Sequence, residues 1–108
     1  MESKEYSWAW VRADQLLSHG PCELVYAFCV PDDNEPEAYV YDGENTTGGK
    51  IFRFTGSNKR GLPFSPKAPV YCRRGLYIDI GKDIEGIFVQ WRELPHGGAE
   101  PVNPPPPG

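Results

Sequence analysis

The sequence lacks the cationic excess of a nucleic-acid binder. Eleven Lys and Arg stand against fifteen Asp and Glu, a formal net charge of -4, and the only basic clusters are Asn58-Lys59-Arg60 and Arg73-Arg74. A phosphate backbone is held by clustered Lys and Arg, so nucleic acid is not an expected partner. Long apolar runs are also missing. None approaches the roughly 20 residues that cross a bilayer as a helix, and no membrane partner is expected. The opening Met1-Glu2-Ser3-Lys4-Glu5 is polar with no hydrophobic stretch behind it, so no export signal is expected.

Histidine is scarce, with two in the chain, and this weighs against nucleophile and base chemistry. His96 sits in a Pro- and Gly-rich stretch that offers nothing to orient it, and His19 precedes the turn formers Gly20-Pro21. His19 and Cys22 have a spacing used by zinc sites, but no second ligand pair follows at comparable spacing. Asp32, Asp33, Glu35 and Glu37 lie in and beside a proline-bounded turn, the pattern of a solvated loop; they lack the alternation and closing Glu of a helix-loop-helix calcium site. Residues 43–49 are glycine-rich but join two strand-like segments, so no helix dipole backs them for a phosphate. The expectation is a protein with no catalytic residues, no metal and no cofactor.

Cysteine is sparse and odd in number, three in all, where a disulfide-framed secreted domain normally shows an even count. Cys22 and Cys29 are seven positions apart in one extended run, and odd spacing along a strand predicts opposite faces. They are not expected to pair with each other. Any bridge has to join Cys72 to one of them; otherwise all three are small buried hydrophobes.

What is present is a β pattern. Twelve Gly and twelve Pro punctuate the chain, and aromatic and β-branched residues fill the intervals. Residues 6–12 predict a strand with Tyr6, Trp8 and Trp10 on one face. Residues 13–19 are the one stretch suited to a helical turn, with Asp14 as cap. Residues 22–30 are apolar on both faces and predict a central strand buried on both sides. Residues 37–42 and 50–55 predict a hairpin, residues 56–69 a surface connection, and residues 70–72 a short strand. Residues 75–80 and 86–92 predict a second hairpin, with Leu76, Ile78, Ile80, Ile87, Val89 and Trp91 facing the core. The expected fold is all-β, a single antiparallel β-sandwich or jelly-roll-like domain of about seven or eight strands over residues 1–94. Residues 95–108 carry Pro101, Pro104, Pro105, Pro106 and Pro107 and predict an extended polyproline or disordered tail outside that domain.

Three Trp, six Tyr and five Phe are the strongest compositional signal. Exposed Trp and Tyr on a sheet face anchor protein interfaces or stack on sugar rings. Trp91 is expected in the core, and Trp8 and Trp10 either cover the core or form an interface. Tyr39, Tyr41 and Tyr77 alternate with apolar residues and are expected on outer faces.

Gly20-Pro21-Cys22-Glu23-Leu24, then Val40-Tyr41-Asp42-Gly43 with Gly48-Gly49-Lys50-Ile51, then Arg74-Gly75-Leu76-Tyr77-Ile78-Asp79-Ile80-Gly81 together resemble small β-sandwich virion structural proteins of tailed bacteriophages. Order and spacing cover about residues 14 to 92; Cys22 stands where the family turn usually has a third residue Gly. The resemblance implies a non-enzymatic accessory protein, made in the host cytoplasm and residing in the virion. Its expected role is to decorate the capsid or to occupy a tail or fibre position. Expected partners are the major capsid or tail/fibre protein and further copies of the chain. Expected contacts are Trp8, Trp10, Tyr39, Tyr41 and the proline arm, with Arg60, Arg73 and Arg74 as charge partners. The competing expectation is a carbohydrate-binding β-sandwich module, with exposed rings beside polar residues such as Gln90 or Asp79.

Overall fold

A computed structural model describes residues 6–94. Nine strands follow in chain order: β1 (Ser7–Val11), β2 (Gln15–Ser18), β3 (Cys22–Pro31), β4 (Glu37–Asp42), β5 (Gly49–Thr55), β6 (Leu62–Phe64), β7 (Val70–Cys72), β8 (Leu76–Lys82) and β9 (Ile84–Glu93). There is no helix among the described residues. The strands form two antiparallel sheets stacked as a sandwich. The front sheet runs β1-β9-β3-β6, with β7 also paired to β3, and the back sheet runs β2-β8-β4-β5. The proline-rich stretch read from the sequence lies outside the described residues.

Alternation supplies the core. In β1, Ala9 and Val11 turn inward while Trp8 and Trp10 turn out. Ala38, Val40, Phe54, Leu76 and Ile78 of the back sheet meet Leu24, Ala27, Ile87, Val89 and Trp91 of the front sheet. Each fully buried aliphatic side chain of this kind contributes about 1.5–3 kcal/mol.

Four expectations change. Residues 13–19 form no helical turn: Gln15 and Leu16 pair with Ile78 and Tyr77, making β2 an edge strand on β8. Asp14 caps no helix; its carboxylate accepts the Ile80 N–H at 2.8 Å, satisfying an amide of β8. Residues 75–80 and 86–92 form no hairpin either. β8 is already flanked by β2 and β4, and β9 by β1 and β3, so neither has an edge for the other. Asp83 alone separates them, in the left-handed conformation at φ 58°, and carries the chain from one sheet to the other. Asp tolerates that conformation better than most residues.

The third change concerns phase. In β3 the register on β9 shifts between Leu24 and Tyr26, a bulge that places one extra residue in the strand. Inward positions therefore run Cys22, Leu24, Ala27, Cys29, and the two cysteines share the core face instead of opposite faces. The fourth concerns β3 as a strand buried on both sides. It is central, but on its outer side Glu23, Tyr26, Phe28 and Val30 are half-buried by neighbouring side chains, with no second layer above them. Residues 56–69 are a connection as expected, except that Leu62–Phe64 pairs with β3 as an edge strand, where Pro63 is tolerated.

Gly75 adopts φ +149°, and a Cβ there would lie 2.6 Å from the Ser18 carbonyl oxygen and 2.9 Å from that of Gly43. The Arg73-Arg74-Gly75 turn is therefore seated directly on the chain entering and leaving the back sheet. The Asp42 carboxylate fixes it, accepting the Arg74 N–H at 2.8 Å and the Arg73 N–H at 3.2 Å.

Candidate functional site

The outer face of the front sheet gathers aromatic residues in cross-strand rows. Trp10, Phe88, Phe28 and Pro63 are successive register partners across β1, β9, β3 and β6. Trp8, Gln90 and Tyr26 form the next row. Arg92, Glu23 and Tyr71 form a third, where Arg92 pairs with Glu23 and places its guanidinium over the Tyr6 ring at 5.7 Å. Phe88 ties the first two rows together, 6.2 Å from both Trp8 and Tyr26 between ring centroids, with Trp8 nearly parallel to it at 29°.

This face is well ordered by packing yet left open. Trp8 is 66 % exposed, Tyr71 56 %, Tyr6 47 % and Trp10 42 %. The Trp10 indole lies flat across Gly86, where a Cβ would come within 2.2 Å of the ring. Gly61 admits the Phe28 ring in the same way, with a Cβ position 2.3 Å from its tip. Two backbone hollows thus seat two rings. The rings lose little entropy on further contact, because two torsions fix each and neighbours already hold them. β1 is an edge strand; among the described residues nothing pairs with its far side.

The back sheet presents a different outer face. Tyr39, Tyr41 and Tyr77 form a chain of rings with centroids 6.3 and 6.5 Å apart, and the middle one, Tyr41, is only 8 % exposed. The Lys50 ammonium lies 4.6 Å from the Tyr39 ring centre. The Tyr39 hydroxyl donates to Glu37 at 2.5 Å, which holds that carboxyl below the ordinary carboxylate range and pushes the phenol up. Burial, then the neighbouring Asp14, raises Asp79, and burial raises Tyr77. A cleft of about 330 Å³ beside this face is lined by residues including Glu35, Glu37, Arg53 and Lys82. Its charges are already matched: Arg53 meets Glu37 at 3.5 Å and Lys82 meets Glu35 at 3.3 Å.

The residues singled out in the sequence therefore fall into separate places. Trp8 and Trp10 stand together on the front face. Tyr39 and Tyr41 lie on the opposite outer face, where the covering of Tyr41 leaves it little surface for contact. Arg60 is exposed in the β5–β6 connection, its N–H bonded to the Asn58 side chain, and Arg73 and Arg74 are exposed in the β7–β8 turn. Pro101 and Pro104 to Pro107 lie outside the described residues. The sequence reading left Tyr26, Phe28, Tyr71 and Phe88 out of the site. The apolar double face of residues 22–30 was the available signal, since the outer half of that strand belongs to the aromatic rows.

One polar cluster links the sheets at the β2 end. The Ser18 hydroxyl donates to Glu93 at 2.9 Å, and the Trp91 indole N–H donates to the other oxygen of the same carboxylate at 2.9 Å. Beside it Cys22 and Cys72 face each other across β3 and β7. No three His, Cys, Asp or Glu side chains converge as a metal site among the described residues, and no helix there is long and apolar enough to cross a membrane. Compared with known proteins, the chain matches no family model, no curated protein and no solved structure.

Proposed function

We propose that this chain is a non-enzymatic accessory protein of a tailed-phage particle, attached to capsid or tail proteins through the outer face of its front sheet. The observation that carries the binding half is the open aromatic face: Trp8, Trp10, Tyr6 and Tyr71 on one sheet surface, braced by Phe88 and Tyr26. Trp, Tyr and Arg are the residues that dominate binding energy at protein interfaces. A soluble monomer seldom leaves a large aromatic patch uncovered without use for it. The virion half rests on the resemblance of the three turn-and-strand segments to phage β-sandwich proteins. Arg60, Arg73 and Arg74 are the cations available to an acidic lattice, and the proline arm is proposed to lie along a neighbouring subunit. Repetition around a particle axis then multiplies contacts that are individually weak.

A carbohydrate-binding module is the second reading, favoured by one feature: Gln90 stands directly opposite the most exposed ring, Trp8, as a polar group beside a stacking platform. The test compares the intact chain with Trp8→Ala/Trp10→Ala. On the proposed reading, the intact chain is found at fixed stoichiometry in density-gradient-purified particles of the phage that encodes it. The variant keeps its β circular dichroism and loses the particle. Equal particle binding by a folded variant refutes the aromatic interface. Glycan-array binding with quenched tryptophan fluorescence, and no particle association, replaces the proposal with the sugar-binding reading.

A further inference from the structure

Cys22 and Cys72 are direct register partners where β3 and β7 pair. An antiparallel ladder holds opposed Cα atoms about 4.5 or 5.5 Å apart, and a disulfide spans Cα separations of about 4.4–6.8 Å. Both side chains turn into the core and are fully covered. The Cys72 thiol donates to the Val70 carbonyl oxygen at 3.6 Å, and the Ser18 hydroxyl close by donates to Glu93. The neighbouring Cys72 thiol holds Cys22 below the ordinary thiol range, whereas the same neighbour together with burial pushes Cys72 up. Cys29 shares the core face but sits roughly 23 Å along the strand from Cys22. Burial alone raises its thiol to about 11.

We propose that Cys22 and Cys72 are an oxidisable pair, which a peroxide-class oxidant converts to an intrachain disulfide tying β3 to β7 while Cys29 stays reduced. The Cys22 thiolate attacks one peroxide oxygen; the O–O bond breaks, water leaves with a proton from solvent, and Cys22 becomes a sulfenic acid. The Cys72 sulfur then attacks the Cys22 sulfur. The S–S bond forms, the S–O bond breaks, and the hydroxyl departs as water with the Cys72 proton. Two thiols lose two electrons in all and the peroxide gains them.

Access comes from the weakness of β7. It is three residues long, pairs among the described residues with β3 alone, and follows a segment that carries Pro66 and Pro69. Short edge elements of this kind open locally at far lower cost than the whole fold. The pair lies in the core, so its chemistry does not depend on what the outer face binds.

The test treats the intact folded chain with hydrogen peroxide, quenches it, and alkylates it in denaturant with iodoacetamide before mass spectrometry. The expected product has lost the mass of two hydrogens and carries one alkyl group in place of three. Its proteolytic map joins the peptides of Cys22 and Cys72. Its melting temperature rises by roughly 10 °C and falls back on reduction. Cys29→Ser forms the same bridge. Three alkylated cysteines with unchanged mass, oxygen adducts on Cys22 without a bridge, or a bridge through Cys29 or between chains would each overturn the proposal.

Discussion

Replacing Gly86 with alanine tests the braced aromatic face without touching the core. The new Cβ falls 2.2 Å from Cζ2 and 2.4 Å from Cε2 of Trp10, and no backbone atom is among its nearest neighbours, so the indole has to lift away. Trp10 is 42 % exposed, so a little over half of its surface is covered. For a side chain that buries up to about 250 Å², this is roughly 140 Å² of contact, worth about 3.5 kcal/mol at 25 cal/mol/Å² if all of it were lost. A ring that tilts instead of leaving keeps part of that, so Gly86→Ala is expected to cost about 1–2 kcal/mol. Urea unfolding followed by circular dichroism reads the loss as a lower midpoint at unchanged slope. The decisive comparison is the same substitution in Trp10→Ala. With no ring to displace, the alanine is expected to be neutral or stabilising by about 0.5 kcal/mol through the unfolded chain, giving a coupling above about 1 kcal/mol. An equal loss in both backgrounds would show that the β9 backbone, and not the seated indole, requires glycine.

Gly75→Ala is expected to be more damaging, by about 2–4 kcal/mol, because φ +149° and two backbone carbonyls at 2.6 and 2.9 Å leave the methyl nowhere to go; thermal unfolding measures it. Asp83→Val, at φ 58°, should cost about 1–2 kcal/mol in the same assay, whereas Asp83→Asn should be close to neutral. Burial and Asp14 raise Asp79, so the native state binds its proton more tightly than the unfolded chain does. The stabilisation is therefore present below the unfolded carboxylate range and lost as pH rises through the folded value. Asp79→Asn is accordingly expected to raise the melting temperature at pH 7 and to leave it unchanged at pH 3; no gain at pH 7 would refute the assignment.

Alternation made most strands legible: Leu76, Ile78, Ile87, Val89 and Trp91 were placed inward by period two, and all are buried. Three features escaped that logic for physical reasons. The bulge after Leu24 inserts one residue, and nothing in Leu-Val-Tyr-Ala announces it, so Cys29 took the wrong face. Sheet membership is a long-range property; the clean alternation of residues 76–80 and 86–92 is the same whether the strands pair with each other or with four other partners. The Leu16-Leu17 pair suits a helical turn as readily as an edge strand, and only the availability of β8 decides it. Within the site, Trp8 and Trp10 were legible because they alternate with Ala9 and Val11. Tyr26 and Phe28 were hidden because apolar residues on both faces of a strand read as burial, whereas here one face is core and the other is an open aromatic surface.

The position of β9 also sets an order of events during synthesis. It stands between β1, the earliest described strand, and β3, and it is the latest described strand to be made. At about 5–20 residues per second, β1 waits roughly 4–15 s before β9, its partner among the described residues, leaves the ribosome. During that interval β1, with Trp8 and Trp10, and the β9-side edge of β3 have no ladder to join, although β6 and β7 can already pair with the other edge of β3. The nascent chain then exposes an unpaired edge and apolar side chains, and a ribosome-associated chaperone that shields residues 6–31 until β9 emerges is expected to raise the yield of folded protein.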